Sequence, residues 1–234
     1  MIALAVDSSG EVLSVSLGRD AESYHFELDA GLRHSERLME VVDAVLSIAR
    51  ADPAGLDMVA CMKGPGSFTG LRMGMATAKG MAASLGIPLY AVSTLDCMAA
   101  PRSAWPGIVL PLIDAKKNRW YAALFKGGAR ISDDMDAGAE ALAEAVRAAG
   151  SEAVLVTGPD APRAAAALSA ILADRSVVVD PSGRRAAAGA LLALAVERFE
   201  RGDPGEADEV GLSYLRKSEA ETTRERAAGG DSPE

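Results

Sequence analysis

The sequence predicts an α/β protein built from two duplicated halves, on three observations. Apolar runs of strand length alternate with longer segments whose apolar residues recur at helical spacing, the pattern of sheets covered by helices. A strand ending in an acid, then a turn and a second strand, occurs twice: Met1 to Val6 leads to Asp7, and Val109 to Ile113 leads to Asp114. Recurrence of such a unit is the mark of duplication. Between the halves, PRSAWPG at Pro101 to Gly107 concentrates the residues that break regular structure. The expected division is a first domain at 1–101, a second at 106–217 and a flexible tail at 218–234, which is polar and free of aromatic residues.

Taken in order, the run to Val6 is continuously apolar and reads as a buried strand. Ser8, Ser9 and Gly10 form a turn, and Leu13, Val15 and Leu17 alternate with serines in a second strand. Tyr24, Phe26 and Leu28 alternate with polar neighbours in a third, with one wet face. Three strands in succession imply an antiparallel meander. Ser35 is placed to cap a helix whose apolar face runs through Leu38, Met39, Val41, Val42, Val45, Leu46 and Ala49. A strand over 56–62 leads into a glycine loop and a helix over 73–85, then come a strand over 87–92 and a short helix over 93–100. In the second half, strands are expected at 109–113 and 120–125, with Pro111 weakening the pairing of the first. A helix over 137–149 and a strand over 153–157 follow, then a Gly158–Pro159 turn and a helix capped by Asp160 that runs to 172. A strand over 177–179 and a helix over 185–201 close the ordered part. Helices between strands favour parallel pairing, so both sheets are mixed.

The chain of 234 residues is long enough to bury real cores. Hydrophobic residues make up 49% but aromatics only 4%, so the interior is made of Ala, Val, Leu and Met. Cys61 and Cys97 form no Cys-x-x-Cys pair, and the N-terminus reaches an acid at Asp7 without a basic leader, which points to a reducing cytoplasm. The apolar run at 186–196 is too short to span a bilayer. A formal net charge of -9 repels phosphate backbones, so any RNA would be held mainly by a partner.

The most particular stretch is KGPGSFTGLRMG, Lys63 to Gly74. Backbone N–H groups from Gly64 to Gly70, with Ser67, Thr69 and Arg72, could meet an anion at a helix start, or the glycines could only make a sharp turn that Ser67 or Thr69 caps. It lacks the Gly-Lys-Ser/Thr of a Walker loop and the glycine spacing of a dinucleotide fingerprint. Beyond it Gly74, Ala76, Ala78 and Gly80 alternate with methionines. Glycine inside a helix costs about 1 kcal/mol relative to alanine, so a close neighbour is required, either this chain's own sheet or a second protein.

Two strands ending in acids beside turns can pinch a metal-bound nucleotide between two domains, the logic of actin-like and sugar-kinase ATPases. Asp7, Ser8, Gly10 and Asp114 would line that cleft, with Gly158 at an adenosine contact. Yet the first turn carries one glycine and the second none, where phosphate-wrapping hairpins offer several. A metal site in this chain is not expected, since His25 and His34 are the only histidines and form no ligand pair. His25 reads as a solvated strand residue. No nucleophile-elbow motif supports peptidase chemistry.

AVDSSG, RHSERL, KGPGSFTGLRMGMATAKGMA and VSTLDCMA in the first half, with LIDAKKNRWYAALF and LSYLRKSEAE in the second, closely resemble the bacterial TsaB family, also called YeaZ. The resemblance implies an actin-like, two-domain fold with a degenerate nucleotide cleft. It implies a non-catalytic role in forming threonylcarbamoyladenosine beside the tRNA anticodon. In that family the protein partners TsaD, its larger paralogue, which carries the metal on a histidine pair and transfers the threonylcarbamoyl group, and TsaE, an ATPase, joins them. ATP and metal are thus expected on partners, and tRNA is expected only through the complex. Helices after Ser35 and Thr69 form the family's face for the paralogue or a second copy, which makes His34, Leu38, Met73, Ala76, Ala78 and Lys79 the candidate contacts. An autonomous actin-fold ATPase or small-molecule kinase is the alternative, and a peptidase is a weaker one.

Overall fold

The computed structural model describes residues 1–29, 31, 34–183, 187–207, 209–213 and 215. The first half opens with β1 (Ile2–Asp7), β2 (Val12–Arg19) and β3 (Glu22–Asp29), paired antiparallel in succession as the meander requires. Then come α1 (His34–Ile48), a single 3-10 turn at Pro53–Gly55, β4 (Met58–Gly64), α2 (Phe68–Leu85), β5 (Leu89–Ser93) and α3 (Thr94–Ala99). With β4 parallel to both β1 and β5, the sheet order is β3-β2-β1-β4-β5. Leu4, Val6, Leu13, Val15 and Leu17 pack against Leu38, Val41, Val42, Val45 and Leu46 of α1. Burying each leucine contributes about 1.5–3 kcal/mol. Val59, Cys61, Leu89 and Ala91 pack against Met75, Ala78 and Ala82 of α2 on the same side.

The second half contains β6 (Ile108–Asp114), β7 (Trp120–Ala122), β8 (Phe125–Lys126), β9 (Ala129–Arg130), β10 (Met135–Ala137) and α4 (Ala139–Ala148). It continues with β11 (Ala153–Thr157), α5 (Ala161–Ile171), β12 (Ser176–Val179) and α6 (Ala188–Glu200). Its main order is β10-β7-β6-β11-β12, with β11 parallel to β6 and β12. The strand expected at 120–125 is in two pieces. Leu112 pairs with Ala122 and Val109 with Phe125, so the gap lies opposite Pro111, which has no N–H to give the ladder. The helix expected from 137 begins at Ala139, after β10 and Gly138.

The stretch 106–217 does not pack as one unit. Leu191, Leu192 and Ala195 of α6 return to the first sheet and bury Ala3, Ala5, Met58, Ala60 and Tyr90 on the face away from α1 and α2. The second sheet packs α4 and α5 on one face and Leu95 and Ala99 of α3 on the other. Helices α3 and α6 therefore form the layer between the two sheets. The expected helix start at 185 and the tail at 218–234 lie outside the described residues.

Candidate functional site: a cleft closed from within and an open helix face

Helix α2 begins at Phe68, five residues earlier than its apolar pattern suggested, because Ser67 caps it and accepts a hydrogen bond from Gly70 N–H at 3.3 Å. The glycines serve the β1–β2 turn. Ser67 N–H donates to Ser9 O at 2.7 Å, and Ser8 Oγ donates to Gly70 O at 2.8 Å. A Cβ on Gly66 would lie 2.6 Å from Ser9 O, and one on Gly70 or Gly74 would collide with Ser8. The close neighbour of this helix is thus the chain's own hairpin. Part of the loop is used inside the chain: Gly64 is covered by Ser213, and the Ser67 and Gly70 donors have internal acceptors. Thr69 and Arg72 are exposed, and the Arg72 guanidinium stacks 3.7 Å over the Phe68 ring.

The partner-face expectation is corrected at two positions. Leu38 is 2% exposed and Ala78 fully buried; both belong to the core that α1 and α2 make with the first sheet, out of a partner's reach. Met73 and Lys79 are half-buried, and Ala76 is exposed. The contact expected of His34 rests on a side chain outside the described residues, as does the cap expected of Ser35. Thr69, Arg72, Ala76, Gly80 and Ala83 line the outer stripe of α2 at helical spacing, with Met39 exposed on neighbouring α1. Phe68, 41% exposed, was missed from sequence, although a large aromatic inside a glycine loop in a chain with four phenylalanines was a usable signal.

The two acids of the cleft sit at equivalent strand ends. Asp7 is buried; its Oδ1 accepts Ser9 N–H at 2.9 Å and Ser9 Oγ at 2.6 Å, and its Oδ2 accepts Ala187 N–H at 2.9 Å. It acts as the N-terminal cap of α6 from the far end of the chain, where a carboxylate also meets the positive end of the helix dipole. Ala188 N–H is taken in turn by Ser14 Oγ at 3.3 Å. The alternating serines of β2 are therefore buried and bonded, since Ser16 Oγ also lies 2.8 Å from Nδ1 of exposed His25.

Asp114 is held differently. Its Oδ1 accepts Lys116 N–H at 2.8 Å and Arg163 Nη2 at 3.0 Å, and Lys116 Nζ lies 2.9 Å from Oδ2. Partial burial pushes its carboxyl up, but the Lys116 hydrogen bonds and the Lys116 and Arg163 charges outweigh it and hold it below the usual value. Lys116, Lys117 and Asn118 all have left-handed backbones, at φ 63, 55 and 56. Asp160 heads α5 but makes no capping bond; its carboxylate pairs with Arg163 at 2.6 Å and with the Trp120 indole N–H. Gly10 stands exposed with open space around it, whereas Gly158 approaches Leu112 O too closely for a side chain and has Gly183 against it. Beside these, Asp180 accepts Thr157 Oγ1 at 2.7 Å, Ser182 Oγ at 2.7 Å and Arg102 Nε at 2.6 Å. Burial opposes its ionisation, but those bonds bring its carboxyl down to about 2.

Two mixed sheets in duplicated halves, each with an acid-ended hairpin, and two helices layered between them define an actin-like α/β protein. A family model described as TsaD, tRNA N6-adenosine threonylcarbamoyltransferase, matches residues 28–171. The chain belongs to this family, on its TsaB (YeaZ) branch. It is 35% identical over 127 residues to the tRNA threonylcarbamoyladenosine biosynthesis protein TsaB of Bacillus subtilis, covering 54% of this chain and 56% of that one. It is 35% identical over 128 residues to TsaB of Escherichia coli, covering 53% and 54%. The matches thus span about half the length of these curated relatives. YeaZ from Pseudomonas aeruginosa superposes with a TM-score of 0.73 at 27% identity, covering 92% of this chain and 99% of that chain.

Proposed function

We propose that this chain is a non-catalytic subunit in the formation of threonylcarbamoyladenosine beside the tRNA anticodon, acting in the cytoplasm. It docks through the outer stripe of α2 on a TsaD-type transferase, TsaE joins the pair, and tRNA is held through the assembly. The observation that carries the reading is the occupation of both cleft acids by the chain's own donors: Ala187 and Ser9 on Asp7, Lys116 and Arg163 on Asp114. A metal-bound nucleotide would have to displace these contacts before either acid could help hold it. This weighs against the autonomous ATPase or kinase reading, and the ATP and metal of the reaction are assigned to the partners. The names of the relatives supply the reaction.

The test is reconstitution. The isolated chain should neither turn over ATP nor modify tRNA, and adding it to the transferase and TsaE should restore modification. Tight ATP binding with turnover by the isolated chain would sink the reading. Ala76→Arg places a charge on the exposed stripe, which isolated folding tolerates but a close helix contact does not. It should abolish co-elution with the transferase in size-exclusion chromatography, with the chain's own unfolding midpoint unchanged. Unchanged co-elution would remove α2 from the interface.

A further inference from the structure

We infer that the segment after α6, residues 203–207 and 209–213, is a strap that holds the glycine loop in place and so positions the start of α2. It turns back at Gly202, which has a left-handed φ of 77, and is anchored at once. Asp203 O accepts Tyr90 Oη at 2.6 Å, and Asp203 Oδ2 accepts Arg198 Nε at 2.7 Å. Glu206 N–H donates to Leu89 O at 2.8 Å, and Glu206 Oε1 accepts Arg198 Nη1 at 3.0 Å, so the strap covers the open edge of β5. That approach needs Gly205, where φ is 84 and a Cβ would lie 2.8 Å from Leu89 O.

The far end reaches the glycine loop. Val210 and Leu212 pack onto the cluster of Val59, Cys61, Met75 and Ala78 that joins β4 to α2. Ser213 N–H then donates to Lys63 O at 2.8 Å. A Cβ on Gly64, where φ is 107, would lie 2.9 Å from Ser213 O and 3.2 Å from Leu71 Cδ1. The loop is therefore fixed on two sides, by Ser9 at Ser67 and by Ser213 at Lys63 and Gly64. Losing the second anchor leaves the β4 exit free to move while the sheet stays intact, the condition for local rather than global opening.

The strap itself does not depend on the proposed function; only its consequence for docking rests on that reading. Amide hydrogen exchange on the full chain separates the two. Ser213→Pro removes the N–H given to Lys63, and Gly205→Val blocks the seat at Leu89; if the second fails to fold, the first carries the test. Exchange across 63–71 should rise about tenfold in either variant, with 154–157 in the second sheet unchanged, and binding of the transferase should suppress that rise by covering the α2 start. Faster exchange at 205–213 with no change at 63–71 would overturn the strap. Faster exchange at 63–71 that the bound transferase leaves unsuppressed would uphold the strap and remove the α2 face from the proposed function.

Discussion

The two acid hairpins stand at equivalent points of the duplicated halves, yet they are neutralised by opposite means. Asp7 is 4% exposed, bonded to backbone and hydroxyl donors, and its turn is clamped on α2 by the glycines at 66, 70 and 74. Asp114 has a side chain 34% exposed and is bonded to two cations at the surface. One arrangement depends on close packing, the other on charge. The two halves share one frame; the first hairpin links β1 to α2 and α6, while the second is a surface ion cluster. Removing the first should therefore damage the fold, and removing the second should barely touch it.

The largest effect is expected at the clamp. Gly70→Ala forces a Cβ against the Ser8 backbone, and overpacking of this kind costs about 3 kcal/mol. Helix propensity alone predicts the reverse, a gain of about 1 kcal/mol for alanine over glycine. Gly80→Ala, on the exposed side of the same helix with nothing within 4 Å, should show that gain. Urea unfolding of the two variants reads both signs, and stabilisation by both would dissolve the clamp. Next comes Asp7→Ala, which leaves the Ala187 and Ser9 donors without their acceptor inside the protein. A loss of about 2 kcal/mol is expected. The same variant has a second reading: under the ATPase alternative it would lower nucleotide affinity and leave stability nearly intact, so calorimetry with ATP beside the unfolding curve distinguishes a cap from a ligand.

Much of this was legible from sequence because it depends on local patterning. The continuous apolar run of β1, the alternation in β3 and the helical spacing in α1 each report which faces are covered, whereas the alternation in β2 does not, its serines being buried under α6. The doubt over Pro111 was also local, since a missing N–H interrupts a ladder wherever the residue sits. What was not legible depends on contacts between distant residues. Nothing near Asp7 in sequence announces Ala187 as its partner, and nothing in Gly70 or Gly74 says whether the neighbour they admit is Ser8 or another protein. Leu38 and Ala78 entered the expected partner face through the family resemblance, which points to whole helices and not to the residues on their outer side; both are buried. The short strands β8, β9 and β10 carry too few residues to show a period.

The smallest effect should come from Asp114→Asn, and it tests the comparison by its conditions more than by its size. The Asp114 carboxyl is held below its ordinary value, so the folded chain binds that proton more weakly than the unfolded chain does. Its contribution is then fully present above the unfolded value, near about pH 4, and fades as pH falls through the lower folded value. Partial exposure lets solvent screen the Lys116 and Arg163 charges, which limits the difference at neutral pH to under about 1 kcal/mol. Salt near 1 M, with a Debye length of about 3 Å, should shrink it further. The Asp7→Ala loss should keep its size in the same salt, because its donors are buried backbone and hydroxyl groups rather than mobile charges. Unfolding curves for both variants at low and high salt therefore give the sharpest contrast. Equal salt sensitivity would mean that the two hairpins are neutralised by one mechanism after all.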